Sequence, residues 1–228
     1  MFERLRKAFS RNAKDRPGVP VSQQHGGPVS EWAASRGMSY STASLSHAVS
    51  MHGKVGGRSW KLELGKPSRD YIEGEELRAR AELGVDDDIA AMILNRPLKE
   101  SLERKAYSMI TDTLQTTASP NLPEEMRWLA MYDEIGWEGV DENFWLRYAV
   151  LADRRENALA WVDNNLIDLM TNWPEPRPRS SVPFILVLLR GRCYMRMQYT
   201  SGTETETLEH VAKIFTTACE NALGAFKK

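Results

Sequence analysis

Phe144-Trp-Leu-Arg-Tyr-Ala-Val-Leu-Ala152 opens the stretch on which the fold reading turns. It is apolar apart from one arginine and rich in aromatic and β-branched residues. Its length suits a central strand buried on both faces. Asp153 follows, with Glu156 three residues on. That spacing predicts a capping pair, in which Asp153 accepts from the free amides of the next turn and Glu156 reaches back, so a helix is expected from Arg154. Ala158, Leu159, Trp161, Val162, Leu166, Leu169, Met170 and Trp173 recur at helical spacing and predict one broad apolar face. Pro174, Pro176 and Pro178 end the helix, because each interior proline removes an amide and clashes with the turn before it.

Phe184-Ile-Leu-Val-Leu-Leu189, then Arg190-Gly191, then Arg192-Cys-Tyr-Met-Arg-Met-Gln-Tyr199 read as a tight hairpin. The first arm is apolar throughout. The second alternates, with Cys193, Met195 and Met197 on one face and Tyr194, Arg196 and Gln198 on the other. The second face is expected to be wet or to line a site. Thr203 and Glu206 repeat the capping spacing. Leu208, Val211, Ala212, Phe215, Cys219, Ala222, Leu223 and Phe226 then form a core stripe on a final helix.

Toward the N-terminus, Ser30 is placed to cap a helix over residues 31–36, ended by Gly37. Strands are expected around residues 45–51 and 60–64, with Gly53, Gly56 and Gly57 between them. Glu76-Leu-Arg-Ala-Arg-Ala-Glu-Leu83 is made of good helix formers, yet its period of two argues for a strand. Ile89-Ala-Ala-Met-Ile-Leu94 reads as a buried strand. Pro97 suits the first turn of a helix carrying Leu98, Leu102, Ala106, Met109, Ile110 and Leu114 inward. A further helix is expected over residues 124–135, with Met126, Leu129, Ala130 and Tyr132 inward.

Together these elements predict an α+β fold: antiparallel strand meanders packed against long amphipathic helices. The halves 29–118 and 119–228 have similar element orders, compatible with a diverged duplication. They form two domains meeting near residues 116–123, or one continuous domain.

A chain that is 42% apolar and 27% charged has the composition of an ordinary globular protein. Its net charge of −1 exerts no overall pull toward nucleic acid or membrane. Cys193 and Cys219 fall at predicted core positions and read as small buried hydrophobes, not as a disulfide framework. No apolar run reaches the roughly 18 residues of a membrane span, and no hydrophobic signal region opens the chain, so a cytoplasmic protein is expected.

Residues 1–11 are basic and patterned. Phe2, Leu5, Ala8 and Phe9 share one helical face, ringed by Arg4, Arg6, Lys7 and Arg11. The functional reading is an interfacial helix on an anionic membrane or in a partner's groove; the plain reading is a tail touching the domain weakly. Residues 12–28, with Pro17, Pro20 and Pro28, read as a linker.

The chemical motifs are thin. Gly53-Lys-Val-Gly-Gly-Arg58 lacks the Gly-Lys-Ser/Thr ending of a phosphate loop and reads as a hairpin loop. His25, His47, His52 and His210 show no metal-ligand spacing. Asp86-Asp-Asp88 lacks the closing glutamate of a calcium loop. Asp133, Glu134, Glu138, Asp141 and Glu142 read as a solvated acidic face. No serine sits in a nucleophile elbow. Hence no catalytic residue, cofactor or metal is expected.

Arg177, Arg179, Arg190, Arg192 and Arg196 surround the second hairpin. If the loop before it folds back, they form a positive patch beside Tyr194 and Tyr199. The balanced total charge argues against nucleic acid as the partner. The expected function is a non-enzymatic protein-binding or scaffold protein, self-associating, because seven tryptophans and half-exposed strands offer contact surface. The alternative is a small-ligand protein or enzyme with a site assembled from Tyr194, Arg196, Asp153 and His210.

Overall fold

A computed structural model of the chain describes residues 27–43, 48–113, 124–199 and 205–227. Its strands are β1 (Ser39–Ala43), β2 (Ala48–Val55), β3 (Arg58–Gly65), β4 (Glu75–Glu82), β5 (Ala90–Asn95), β6 (Asp133–Glu134), β7 (Tyr148–Ala152), β8 (Phe184–Leu189) and β9 (Arg192–Tyr199). Its helices are α1 (Pro28–Ser35), α2 (Arg96–Thr113), α3 (Glu124–Met131), α4 (Glu142–Arg147), α5 (Arg155–Trp161), α6 (Asn164–Thr171) and α7 (Thr205–Ala225). The fold is α+β. All nine strands join one antiparallel sheet in the order β1-β2-β3-β4-β9-β8-β5-β7-β6.

The two halves of the chain interleave in this sheet. β4 pairs with β9, and β5 lies between β8 and β7. The boundary expected at 116–123 lies outside the described residues, and strands from either side of it share the sheet.

Cross-strand rows show why the sequence builds this sheet. Met51, Leu62, Ala79, Met195, Leu186, Ile93 and Val150 stand in register on one face. α1, α4, α5, α6 and α7 contribute to the larger core that includes this face. α7 brings Leu208, Val211, Phe215, Cys219 and Ala222, as its periodicity predicts. Trp161 locks α5 to α7, its Nε1–H donating to the Ala218 carbonyl at 2.9 Å. On the other face, Ile185, Val187, Met92, Leu94, Ala149 and Leu151 pack beneath Leu98 and Leu102 of α2 and Met126 and Trp128 of α3. Strands apolar on both faces are thus the ones sandwiched between helices. β8 and β5 are buried at every position.

The second hairpin forms as expected. Arg190 and Gly191 both take positive φ, 51° and 68°, which is the geometry of a two-residue type I′ turn. β4 is a strand, as its alternation requires.

Several local expectations are corrected. The run 144–152 is not one strand. Asp141 caps α4 by accepting from the Asn143 amide at 2.8 Å, Phe144 is buried from that helix, and only Tyr148–Ala152 is extended. Asp153 is not a cap, since α5 starts after Arg154 with no side-chain capping bond. Asp153 instead accepts from the Ala90 amide at 3.3 Å and from Asn157 Nδ2. The helix expected from Arg154 is two helices, because Asp163 caps a new start by accepting from the Leu166 amide at 2.8 Å. α1 begins at Pro28 with Gly27 at its cap, so Ser30 lies inside it. The helix expected to Ile135 stops at Met131, Ala130 is exposed, and Asp133–Glu134 pair with β7. β1 was not expected. Thr203, His25, His47 and residues 1–11 lie outside the described residues. No helix among the described residues is long and apolar enough to cross a membrane.

Candidate interaction face

The rows on the second sheet face change character part-way across. One runs Ser50, Glu63, Arg78, Arg196 and then Ile185, Leu94. The next runs His52, Lys61, Arg80, Tyr194 and then Val187, Met92. The switch from polar to apolar falls between β9 and β8, where α2 and α3 begin to cover the sheet. Trp128 of α3 meets Tyr194 at that border, with ring centroids 6.3 Å apart. Beyond it the strands alternate core and polar residues. His52, Arg80, Glu82 and Arg192 are exposed there.

The face carries Lys61, Arg78, Arg80, Arg192 and Arg196 against Glu63, Glu76 and Glu82. Glu82 bridges Arg80 and Arg192, with Arg192 Nε at 2.7 Å. Lys61 pairs with Glu63 at 2.7 Å. These exposed pairs add little stability, but they order the side chains. Arg78 stands between Glu63 and Arg196 in the same row, has no ion pair among the described residues, and keeps a buried Nε without a partner.

Two carboxylates are buried at the border. Glu76 accepts from Arg196 Nη1 at 2.6 Å and from the Ser68 amide at 2.5 Å. Glu125 accepts from Arg69 Nε at 2.5 Å and from the Tyr71 hydroxyl at 3.3 Å. Burial, reinforced by Glu125, drives the Tyr71 phenol upward, and burial beside Glu124 pushes Tyr194 up to about 12. Both therefore stay protonated donors at neutral pH. A recess of about 20 Å³ lined by Glu125, Trp128, Tyr194 and Arg196 has room for a single water and not for a substrate.

Of the residues expected around the hairpin, Arg192, Tyr194 and Arg196 share this face, and Arg190 sits exposed at its turn. Arg177 and Arg179 are exposed on the loop before β8. That loop is held at the Phe184 end of β8: Arg147 donates to the Pro178 carbonyl at 2.6 Å and Asn95 to the Ser180 carbonyl at 2.8 Å. Arg190 lies beyond the other end of the same strand, so the five arginines do not form one cluster. Tyr199 is buried on the opposite face.

The assembled site does not converge either. His210 lies on α7 across the sheet from Arg196, 4.9 Å from the Trp173 ring, with Nε2 2.7 Å from the Leu169 carbonyl. Asp153 is engaged at the end of β7. Lys61, Arg78 and Arg80 were missed. Their alternation was legible, but their neighbours depend on strand order. No group of metal-ligating side chains is set to hold an ion among the described residues.

No protein-family model matches the chain, and no curated protein matches it. Among solved structures, the crystal structure of the mycobacterial trehalose monomycolate transport factor A, TtfA, is similar at 10% identity, covering 85% of this chain and 93% of that chain, with a TM-score of 0.42.

Proposed function

We propose that the chain is a cytoplasmic protein-binding module whose open sheet face docks a carboxylate-bearing surface of a partner protein. One observation carries this reading: from β9 outward to β2, the face opposite the core is a lattice of charged and polar side chains. Arginines dominate it, and guanidinium groups bind carboxylates in bidentate fashion. Ion pairs hold Arg80, Arg192 and Arg196 in place before binding, which lowers the entropic cost of docking. The net charge of −1 lacks the basic surplus that a phosphate backbone calls for, so a protein fits better than a nucleic acid. A second copy would set the same surplus of cations against itself across a two-fold axis, so the partner is a different protein.

Photo-cross-linking in cells tests this. A benzoyl-phenylalanine at position 80 should trap one defined protein, and the same probe at Glu100 on α2 should not. Purified, that protein should bind Arg78→Glu at least about tenfold more weakly than wild type. Equal trapping at both positions, or adducts only with nucleic acid or with a second copy, would sink the idea.

A further inference from the structure

On the core side of the sheet, α1 and α7 part above the β2–β3 hairpin and leave a cleft of about 170 Å³. Two indoles line it, Trp32 from α1 and Trp60 from β3. Trp60 can lie there because residue 53 is glycine: a Cβ at that position would stand 2.6 Å from Trp60 Nε1. Trp32 is 8% exposed, and its buried Nε1 donates to no acceptor among the described residues. A buried donor without an acceptor is costly.

The mouth is charged. Arg36 and Glu209 pair across it. Lys213 of α7 also lines it, exposed and without an ion pair among the described residues. Arg36 and Lys213 face one carboxylate, Glu209, which leaves the mouth positive. An apolar cavity of about 150 Å³ accepts a benzene-sized group, so this cleft is of the size for one ring or a short alkyl chain.

We propose that the cleft binds a small amphipathic carboxylate, with its ring or chain between Trp32 and Trp60 and its carboxylate at Lys213. The aromatic walls provide dispersion and burial, and Lys213 beside Arg36 selects the anion. This site stands on the opposite side of the sheet from the docking face and does not depend on it.

The test uses the full chain and three probes: 3-phenylpropionate, hexanoate and the neutral 3-phenylpropanol. The indole N–H resonances of Trp32 and Trp60 are followed by NMR during titration at low salt. The expected result is that at least one carboxylate shifts both resonances and that the alcohol does so far less. A ring preference separates phenylpropionate from hexanoate. The Lys213→Gln variant, altered only at an exposed side chain, should bind the carboxylate about tenfold more weakly. The proposal is overturned if neither indole responds up to about 10 mM, an affinity too weak for a specific site. It is also overturned if acid and alcohol act alike and the lysine variant is indifferent.

Discussion

Arg196 Nη1 lies 2.6 Å from Oε1 of Glu76, a carboxylate with no exposed surface, at the line where the helix-covered and open parts of the sheet meet. Burial alone would push the Glu76 carboxyl upward. Arg196 and the two donors of Ser68 outweigh it and hold the group below its ordinary 4.5. Arg196→Met should therefore cost about 3 kcal/mol in urea denaturation, since a buried charge loses its partner while Ser68 still donates. The depressed pKa also fixes a sign. Stabilisation by Glu76 is present in full above 4.5 and is lost as pH falls through its folded value. Glu76→Gln should flatten that part of the acid limb; an unchanged limb would show that Glu76 is not held ionised.

Asp163 separates α5 from α6. Replacing it with alanine should destabilise the protein by about 0.5–2 kcal/mol. Hydrogen exchange should accelerate first at the Leu166 amide, which the Asp163 carboxylate accepts from. If exchange changed equally along α5, the two helices would be one unit.

Arg190 holds φ at 51° in the β8–β9 turn, where a side chain with a Cβ is strained. Arg190→Asn should raise stability by roughly 0.5–1 kcal/mol, because Asn-Gly suits a type I′ turn. A lower midpoint in thermal denaturation would mean that the arginine makes a compensating contact.

Phe215 is fully buried on α7, its ring 5.7 Å from Trp60. Phe215→Ala should cost about 3–5 kcal/mol. It should also loosen the floor of the α1–α7 cleft, seen as line broadening of the Trp60 indole.

Residues 1–11 lie outside the described residues, and their sequence pattern alone motivates an expectation. Phe2, Leu5 and Phe9 with Arg4, Arg6 and Lys7 suit weak, salt-sensitive attachment to anionic lipid, at about 1 kcal/mol per cation near the surface. Deleting residues 1–26 should leave urea stability unchanged and abolish co-sedimentation with phosphatidylserine vesicles. Identical sedimentation with and without the segment would reduce it to a tail.

The short-range features were legible in the sequence. Period-two alternation in Glu76–Leu83 and Arg192–Tyr199 named strands and the side of each that stays polar, and Arg190-Gly191 named the turn. What was not legible is long-range. Nothing local shows that Arg78 lies beside Arg196, so the open face could be read only in part. The break at Asp163 was hidden because apolar spacing continued across it, and a cap residue outweighs periodicity only once the next turn is seen to accept it. Phe144-Trp-Leu-Arg147 misled for a related reason: a short apolar run fits helix and strand alike. The Trp32–Trp60 cleft was invisible, since its walls come from three separated elements.

The pairing of β4 with β9 joins residues more than a hundred positions apart in the chain. Such closures are slow, because loop entropy must be overcome before any contact rewards it. During synthesis β1–β4 can emerge as a meander, but the free edge of β4 waits with Leu77, Ala79 and Ala81 uncovered until residue 199 leaves the ribosome and α7 follows. The growing chain therefore spends most of its synthesis as an exposed sheet edge, the condition in which nascent polypeptides recruit chaperones or pair with one another.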